Sequence, residues 1–196
     1  MQPHAIDASA SHNRNRRVLW LVLALCAAPA IASYLAYYFW RPSAHVNYGE
    51  LLEPRTLPDA ELVTLQGKPF RLSDLKGVWV LLTAEMGACD AACVTRLVYM
   101  RQVRLAQGKE SDRIERVWLV GPQTRPDTAL LAEHPGLHIV RDGSNRLAAA
   151  LPQVGEADHI YVVDPLGHLM MRFPADPDPR RMLKDMSRLL RHSKWK

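Results

Sequence analysis

Cys89 and Cys93, with three residues between them in Glu85-Met86-Gly87-Ala88-Cys89-Asp90-Ala91-Ala92-Cys93, are the residues of this chain best placed to do chemistry. The stretch follows an apolar run and opens a segment with helical periodicity. Cys93 is therefore expected in the first helical turn, with Cys89 in the loop just before it. Free backbone N–H groups and the positive end of the helix dipole stabilise a thiolate at such a place and lower its pKa. Four residues apart, the two sulfurs can meet. They can close a disulfide, catalytic or merely structural, or hold one soft cation between them. With no further Cys nearby they fall short of the four ligands of a closed zinc site. They suit Cu(I), which prefers soft sulfur. The third cysteine, Cys26, lies in a long apolar run and takes no role.

The elements that must position this pair follow from the hydrophobic pattern. Val78 to Thr83 (VWVLLT) is continuous apolar sequence, as expected of a central strand buried on both faces. A helix from Ala91 to Gln107 carries Val94, Leu97, Val98 and Leu105 on one face, and Gly108 ends it. Ile114 to Val120 and Leu137 to Val140 read as further strands, separated by a helix from Asp127 to His134 that Pro135 stops. Ser144 to Leu151 reads as a short helix. His159 to Val163 and His168 to Phe173 form a hairpin around Asp164-Pro165-Leu166-Gly167, and a basic helix from Pro179 to His192 follows. Upstream, Leu62 to Leu65 and Phe70 to Leu72 are two short strands around a turn. This alternation predicts an α/β domain, a mixed sheet flanked by helices.

Val18 to Trp40 contains no charged residue over 23 positions. As a helix that run spans roughly 34 Å, enough to cross a hydrocarbon core of about 30 Å. Trp20 at one end and Tyr37, Tyr38 and Trp40 at the other form interfacial belts. A cleaved signal peptide is the rival reading, since Ala30-Ile31-Ala32 fits an A-x-A site, but the apolar run continues well past it. Arg14, Arg16 and Arg17 precede the run, so the positive-inside rule places the N-terminus in the cytoplasm and the remainder in the periplasm. The expected organisation is a cytoplasmic tail (1–17), a transmembrane anchor (18–40), a tether (41–58) and a single domain (59–196) in a single-pass inner membrane protein.

Composition narrows the function further. With 48% apolar residues the chain is globular rather than disordered, and three Cys are too few for a disulfide scaffold. A net charge of +5, partly concentrated in the N-terminal tail, gives no support for nucleic-acid binding.

These features together resemble the Sco/SenC family of cytochrome c oxidase assembly proteins, membrane-anchored thioredoxin-like copper chaperones with a C-x3-C motif. Cys89 and Cys93 match that spacing, whereas thioredoxins use C-x2-C. Gly67-Lys68-Pro69-Phe70-Arg71-Leu72-Ser73-Asp74-Leu75-Lys76-Gly77 is similar to the family's lead-in. Gly121-Pro122-Gln123-Thr124-Arg125-Pro126-Asp127-Thr128 resembles its Asp-Pro-x-Arg-Asp-Thr stretch with one extra residue, and Tyr161 to Leu169 its strand and β-turn before the last helix. The resemblance implies a thioredoxin-like fold and a role in assembling a haem–copper oxidase. The chain would deliver Cu(I) to an oxidase copper site, or reduce that site's cysteines, with the membrane and a copper-site oxidase subunit as partners. A metal-free membrane-tethered thiol–disulfide oxidoreductase is the alternative, as is a non-catalytic assembly partner with a structural disulfide.

The departures bear on copper. The Pro usual after each Cys is replaced by Asp90 and Val94. The family's copper-binding His falls where this chain has Glu156, and a hard carboxylate is a poor Cu(I) ligand. The nearest imidazole is His159, two residues before Tyr161. It either reaches the metal from a shifted position, completing a Cys89–Cys93–His159 site, or is an ordinary polar residue at a strand end; the second reading is the plainer one.

Overall fold

The computed structural model describes residues 8–39, 47–122, 124–155 and 158–193, in two units divided between residues 45 and 46. The first unit is helix α1 (Ala8–Phe39). Within it, Arg16–Tyr38 is long and apolar enough to cross a membrane, with a mean hydropathy of 2.2 and none of its most apolar stretch buried. Pro29 lies inside the helix, a position that membrane helices tolerate. Trp40, Arg41 and residues 1–7 lie outside the described residues.

The second unit runs β1 (Glu50–Thr56), β2 (Leu62–Thr64), β3 (Pro69–Phe70), β4 (Trp79–Glu85), α2 (Ala91–Leu105), β5 (Ile114–Val120), α3 (Thr128–Glu133), β6 (Leu137–Arg141), α4 (Arg146–Ala150), β7 (Ile160–Val163), β8 (His168–Phe173) and α5 (Pro179–His192). Among the described residues these strands form one sheet in the order β1-β8-β7-β4-β5-β6-β2-β3. β4, β5 and β6 are parallel, while β7 and β8 run antiparallel to their neighbours, so the sheet is mixed as expected.

All seven residues of β4 are buried, because helices cover both sheet faces. Strand alternation then divides its side chains between two cores. Val80, Leu82 and Ala84 pack with Val117, Leu119, Tyr161 and Leu147 of α4. Trp79 and Leu81 pack with Trp118, Ile160 and Val162, under Leu97 and Met100 of α2 and Met182 and Met186 of α5.

The structure differs from the sequence expectation before Pro58. Glu50–Thr56, counted above in the tether, forms edge strand β1 against β8. Glu50-Leu51-Leu52-Glu53-Pro54-Arg55-Thr56 lacks strand alternation and contains Pro, which edge strands accept at an irregularity. Pro54 lies where the register with β8 shifts, between Leu51 and Arg55. The segment entering β1 is fixed by α5: buried Asp185 accepts the backbone N–H groups of Tyr48 (2.7 Å) and Gly49 (2.9 Å). The Arg181 guanidinium covers the Tyr48 ring at 4.2 Å. Two smaller differences are that Leu72 belongs to a 3-10 turn, Leu72–Leu75, and that α2 ends at Leu105.

Candidate functional site

Cys89 and Cys93 stand where the spacing put them, Cys89 in the loop after β4 and Cys93 in the first turn of α2. They are joined by a disulfide, with Cα atoms 5.2 Å apart. Asp90 between them is the helix N-cap, and its Oδ1 accepts the Cys93 N–H at 2.9 Å. That bond is the main reason the Asp90 carboxyl titrates below its ordinary range; desolvation opposes it, and the Ala92 N–H and Arg96 add to the lowering. The two sulfurs are not equivalent: Cys93 is 2% exposed within the α2–α5 core, whereas Cys89 is half-buried at its margin.

The lead-in Glu85-Met86-Gly87 is held from the side by the segment after β5. Gly121 donates its N–H to the Glu85 carbonyl at 2.8 Å. The hydroxyl of fully buried Thr124 lies within hydrogen-bonding reach of the carbonyls of Glu85 (3.1 Å) and Gly87 (2.5 Å). A Cβ on Gly121 would stand 2.5 Å from the Met86 carbonyl oxygen, so only glycine permits this approach. The stretch from Gly121 to Thr128 thus has a physical role as the buttress of the cysteine loop. Gln123 lies outside the described residues.

Three residues that the sequence reading did not assign complete the surroundings. Arg96, 4% exposed on the inner face of α2, ion-pairs through Nη2 with Glu85 at the end of β4 (2.9 Å) and with Asp158 just before β7 (3.0 Å). Burial raises the Glu85 pKa, Asp158 and Asp90 push it the same way, and Arg96 with the Gly87 N–H opposes them. The Arg96 contact lowers and the net shift is upward, because desolvation outweighs one ion pair in a buried site. Arg96 falls on the buried face of α2 with Cys93, Leu97, Met100 and Val103; that face is rotated from the expected stripe of Val94, Leu97, Val98 and Leu105, and Leu105 is 61% exposed. Glu85 ends a strand that is otherwise apolar or neutral, so each buried face carried one charge of opposite sign.

His159 lies at the same end of the sheet, beside β4, where the Thr83 hydroxyl donates to its carbonyl at 3.2 Å. Its ring shares a sheet face with Tyr161 and Val163, which belong to the α4-side core, while Cys93 belongs to the core across the sheet. His159 Nδ1 donates to the Phe173 carbonyl at 2.8 Å, and Nε2 is 3.1 Å from Gln153 Oε1. That oxygen also accepts from Arg172 Nη1 at 2.6 Å. The arrangement is a strand-end hydrogen-bond network. Glu156 lies outside the described residues.

Among the described residues no group of three or more His, Cys, Asp or Glu is gathered as a metal site. Once reduced, the two sulfurs remain a soft pair of the chemistry that suits Cu(I) as a cargo.

The family described as "Transmembrane-like, thioredoxin-like, C-terminal domain" matches residues 79–193, from β4 through α5. No curated protein matches. Among solved structures, apo Sco1 from Thermus thermophilus is similar with a TM-score of 0.58 and 21% identity, over 75% of this chain and 99% of that one. Copper-bound yeast Sco1 is similar with a TM-score of 0.58 and 15% identity, over 72% of this chain and 96% of its own. A thiol:disulfide interchange protein from Bacteroides sp. is similar with a TM-score of 0.54 and 16% identity, over 74% and 93% of the two chains. At these identities the likeness establishes the thioredoxin-like fold that Sco proteins and interchange proteins share. A membrane-length apolar helix and a transmembrane-like domain family both point to a membrane-anchored protein. Because the family match spans more than half of the 196-residue chain, the protein belongs to the transmembrane-like, thioredoxin-like C-terminal domain family.

Proposed function

We propose that the chain is a membrane-tethered thiol–disulfide reductant in the assembly of a haem–copper oxidase, acting on the cysteines of an oxidase copper site before metal loading. The observation that carries this reading is the asymmetric Cys89–Cys93 pair at the start of α2, one sulfur half-exposed and one buried.

In the reduced chain the accessible Cys89 thiolate attacks one sulfur of the target disulfide. The Cys89–target bond forms as the target S–S bond breaks, and the second target sulfur leaves as a thiolate. Cys93, deprotonated under the influence of the helix N-terminus, then attacks Cys89 and expels the first target sulfur. The target gains two electrons and the chain ends as the disulfide seen here. A dithiol reductant must supply two electrons to return it. Tethering raises the effective concentration of partners confined to one membrane.

Cu(I) delivery is the second reading. The C-x3-C spacing favours it, as do the copper-bound Sco structures of the same fold. One experiment separates the two. The reduced protein is titrated with Cu(I) against a competing chelator, and its disulfide is equilibrated with a dithiol. Exchange without copper retention is the expected result. Tight uptake of one equivalent, lost in both Cys89→Ser and Cys93→Ser, would favour the chaperone instead.

A further inference from the structure

The Lys and Arg side chains of α5 all lie on one side of it. At about 100° per residue, Arg180, Arg181, Lys184, Arg188 and Arg191 fall within an arc of about 100°, along a row of about 17 Å. The opposite side carries Met182, Met186 and Leu190 into the core. Asp185 is the one acid in the helix, and it is turned inward, 3% exposed, onto the backbone N–H groups of Tyr48 and Gly49. The N-cap Asp178 accepts the backbone N–H groups of Arg180 (2.8 Å) and Arg181 (3.4 Å). Half-buried Arg188 is the α5 cation that meets an acid, Asp185 at 3.9 Å. Arg180, Arg181, Lys184 and Arg191 are exposed, and among the described residues none of these four has an ion pair. The row is positive without a counter-charge of its own.

The path of the chain into the domain indicates what this face meets. Residues 47–49 run along α5. Arg188 Nη1 donates to Asn47 Oδ1 at 3.0 Å, Asp185 holds the next two N–H groups, and the Tyr48 hydroxyl accepts the Asp178 N–H at 2.9 Å under the Arg181 guanidinium. The helix that carries the cations therefore also clasps the segment arriving from the apolar span. Residues 40–46 join Phe39 to Asn47, with Arg41 and no acid among them. Fully extended, that link reaches at most roughly 29 Å. Anionic headgroups within that reach offer the complementary charge, and each Lys or Arg near such a surface is worth about fivefold in binding. The short link favours the lipid surface over a soluble acidic protein, which would gain nothing from it.

We propose that the basic face of α5 docks on the anionic phospholipid headgroups of the membrane that carries the chain. The proposal rests on the membrane anchor and is independent of the thiol chemistry above, since it is read with the disulfide intact.

The test uses the full chain with Cys26→Ser and the Cys89–Cys93 disulfide closed, labelled with a fluorophore at His192→Cys, an exposed position at the end of the same helix. It is reconstituted into nanodiscs of phosphatidylcholine, or of phosphatidylcholine with phosphatidylglycerol, each with a quencher on the headgroups. Quenching is expected in the anionic discs alone, and high salt should remove it. A label at Ala149→Cys, exposed on α4 across the sheet, should stay unquenched. Replacing three exposed cations together, Arg180→Gln, Lys184→Gln and Arg191→Gln, should lower the docked-to-free ratio by about two orders of magnitude. The unfolding midpoint should hold, because exposed substitutions cost little. Equal quenching at residue 192 in both kinds of disc, equal quenching at residue 149, or an unchanged response in the triple variant would overturn the proposal. A label at residue 192 that stays unquenched in anionic discs would overturn it too, and would leave an acidic protein as the occupant of this face.

Discussion

Replacing Arg96 with Met removes the cation that Glu85 and Asp158 share, while keeping most of its packing volume. Asp158 has about a third of its side chain exposed (32%), so water replaces much of what it loses, at a cost of up to about 1 kcal/mol. Glu85 has 10% of its side chain exposed and cannot be rehydrated in place. Leaving it ionised and unpaired would cost about 3–5 kcal/mol. Glu85 can escape by binding a proton, and from an ordinary value of 4.5 that step costs about 3.4 kcal/mol at pH 7 and about 0.7 kcal/mol at pH 5. The smaller cost governs. Arg96→Met should therefore destabilise by about 3 kcal/mol at pH 7 and by about 1 kcal/mol at pH 5. The sign agrees with linkage: a carboxyl raised in the folded state is fully tolerated below its unfolded pKa, and stability falls as pH rises through the folded value. Urea unfolding of the oxidised full chain at the two pH values, followed by tryptophan fluorescence, measures both numbers. A loss independent of pH, or below 1 kcal/mol at pH 7, would refute the argument.

Gly121→Ala forces a Cβ to within 2.5 Å of the Met86 carbonyl oxygen and should cost about 1–3 kcal/mol by overpacking, read from urea midpoints. Asp185→Ala strips the acceptor from two backbone N–H groups of residues 48 and 49 and should lose about 3 kcal/mol in the same assay. His159→Ala should leave Cu(I) affinity of the reduced protein unchanged and cost about 1 kcal/mol, as its ring serves Phe173 and Gln153; a tenfold loss of Cu(I) affinity would restore it as a ligand. The protein should resist a carbonate wash of membranes, and a reporter active only in the periplasm should be active when fused after Lys196.

The apolar run of β4, the existence of α2 and the C-x3-C spacing made the centre of the fold and the cysteine pair legible in the sequence, because each is a local pattern; the buried face of α2 was not, since of the expected stripe only Leu97 is buried and Leu105 is 61% exposed. β1 was not legible. Its residues lack alternation, and what holds them is a long-range contact, β8 on one side and Asp185 fixing the entry. The Glu85–Arg96–Asp158 cluster joins three elements far apart in the chain, so only topology brings it together. His159 was correctly placed at the entry of its strand. Which sheet face its ring occupied relative to Cys93, and that its nitrogens serve Phe173 and Gln153, depended on how β7 and α2 pack.

Trapping in native membranes tests the central claim most directly. If Cys89 is the accessible attacking sulfur and Cys93 the buried resolving one, Cys93→Ser halts the reaction after the first step. This variant should accumulate a dithiol-reversible mixed disulfide with the copper-site subunit of a haem–copper oxidase, and Cys89→Ser should accumulate none. Equal trapping by both variants, or none by either while the wild type retains Cu(I), would contradict it.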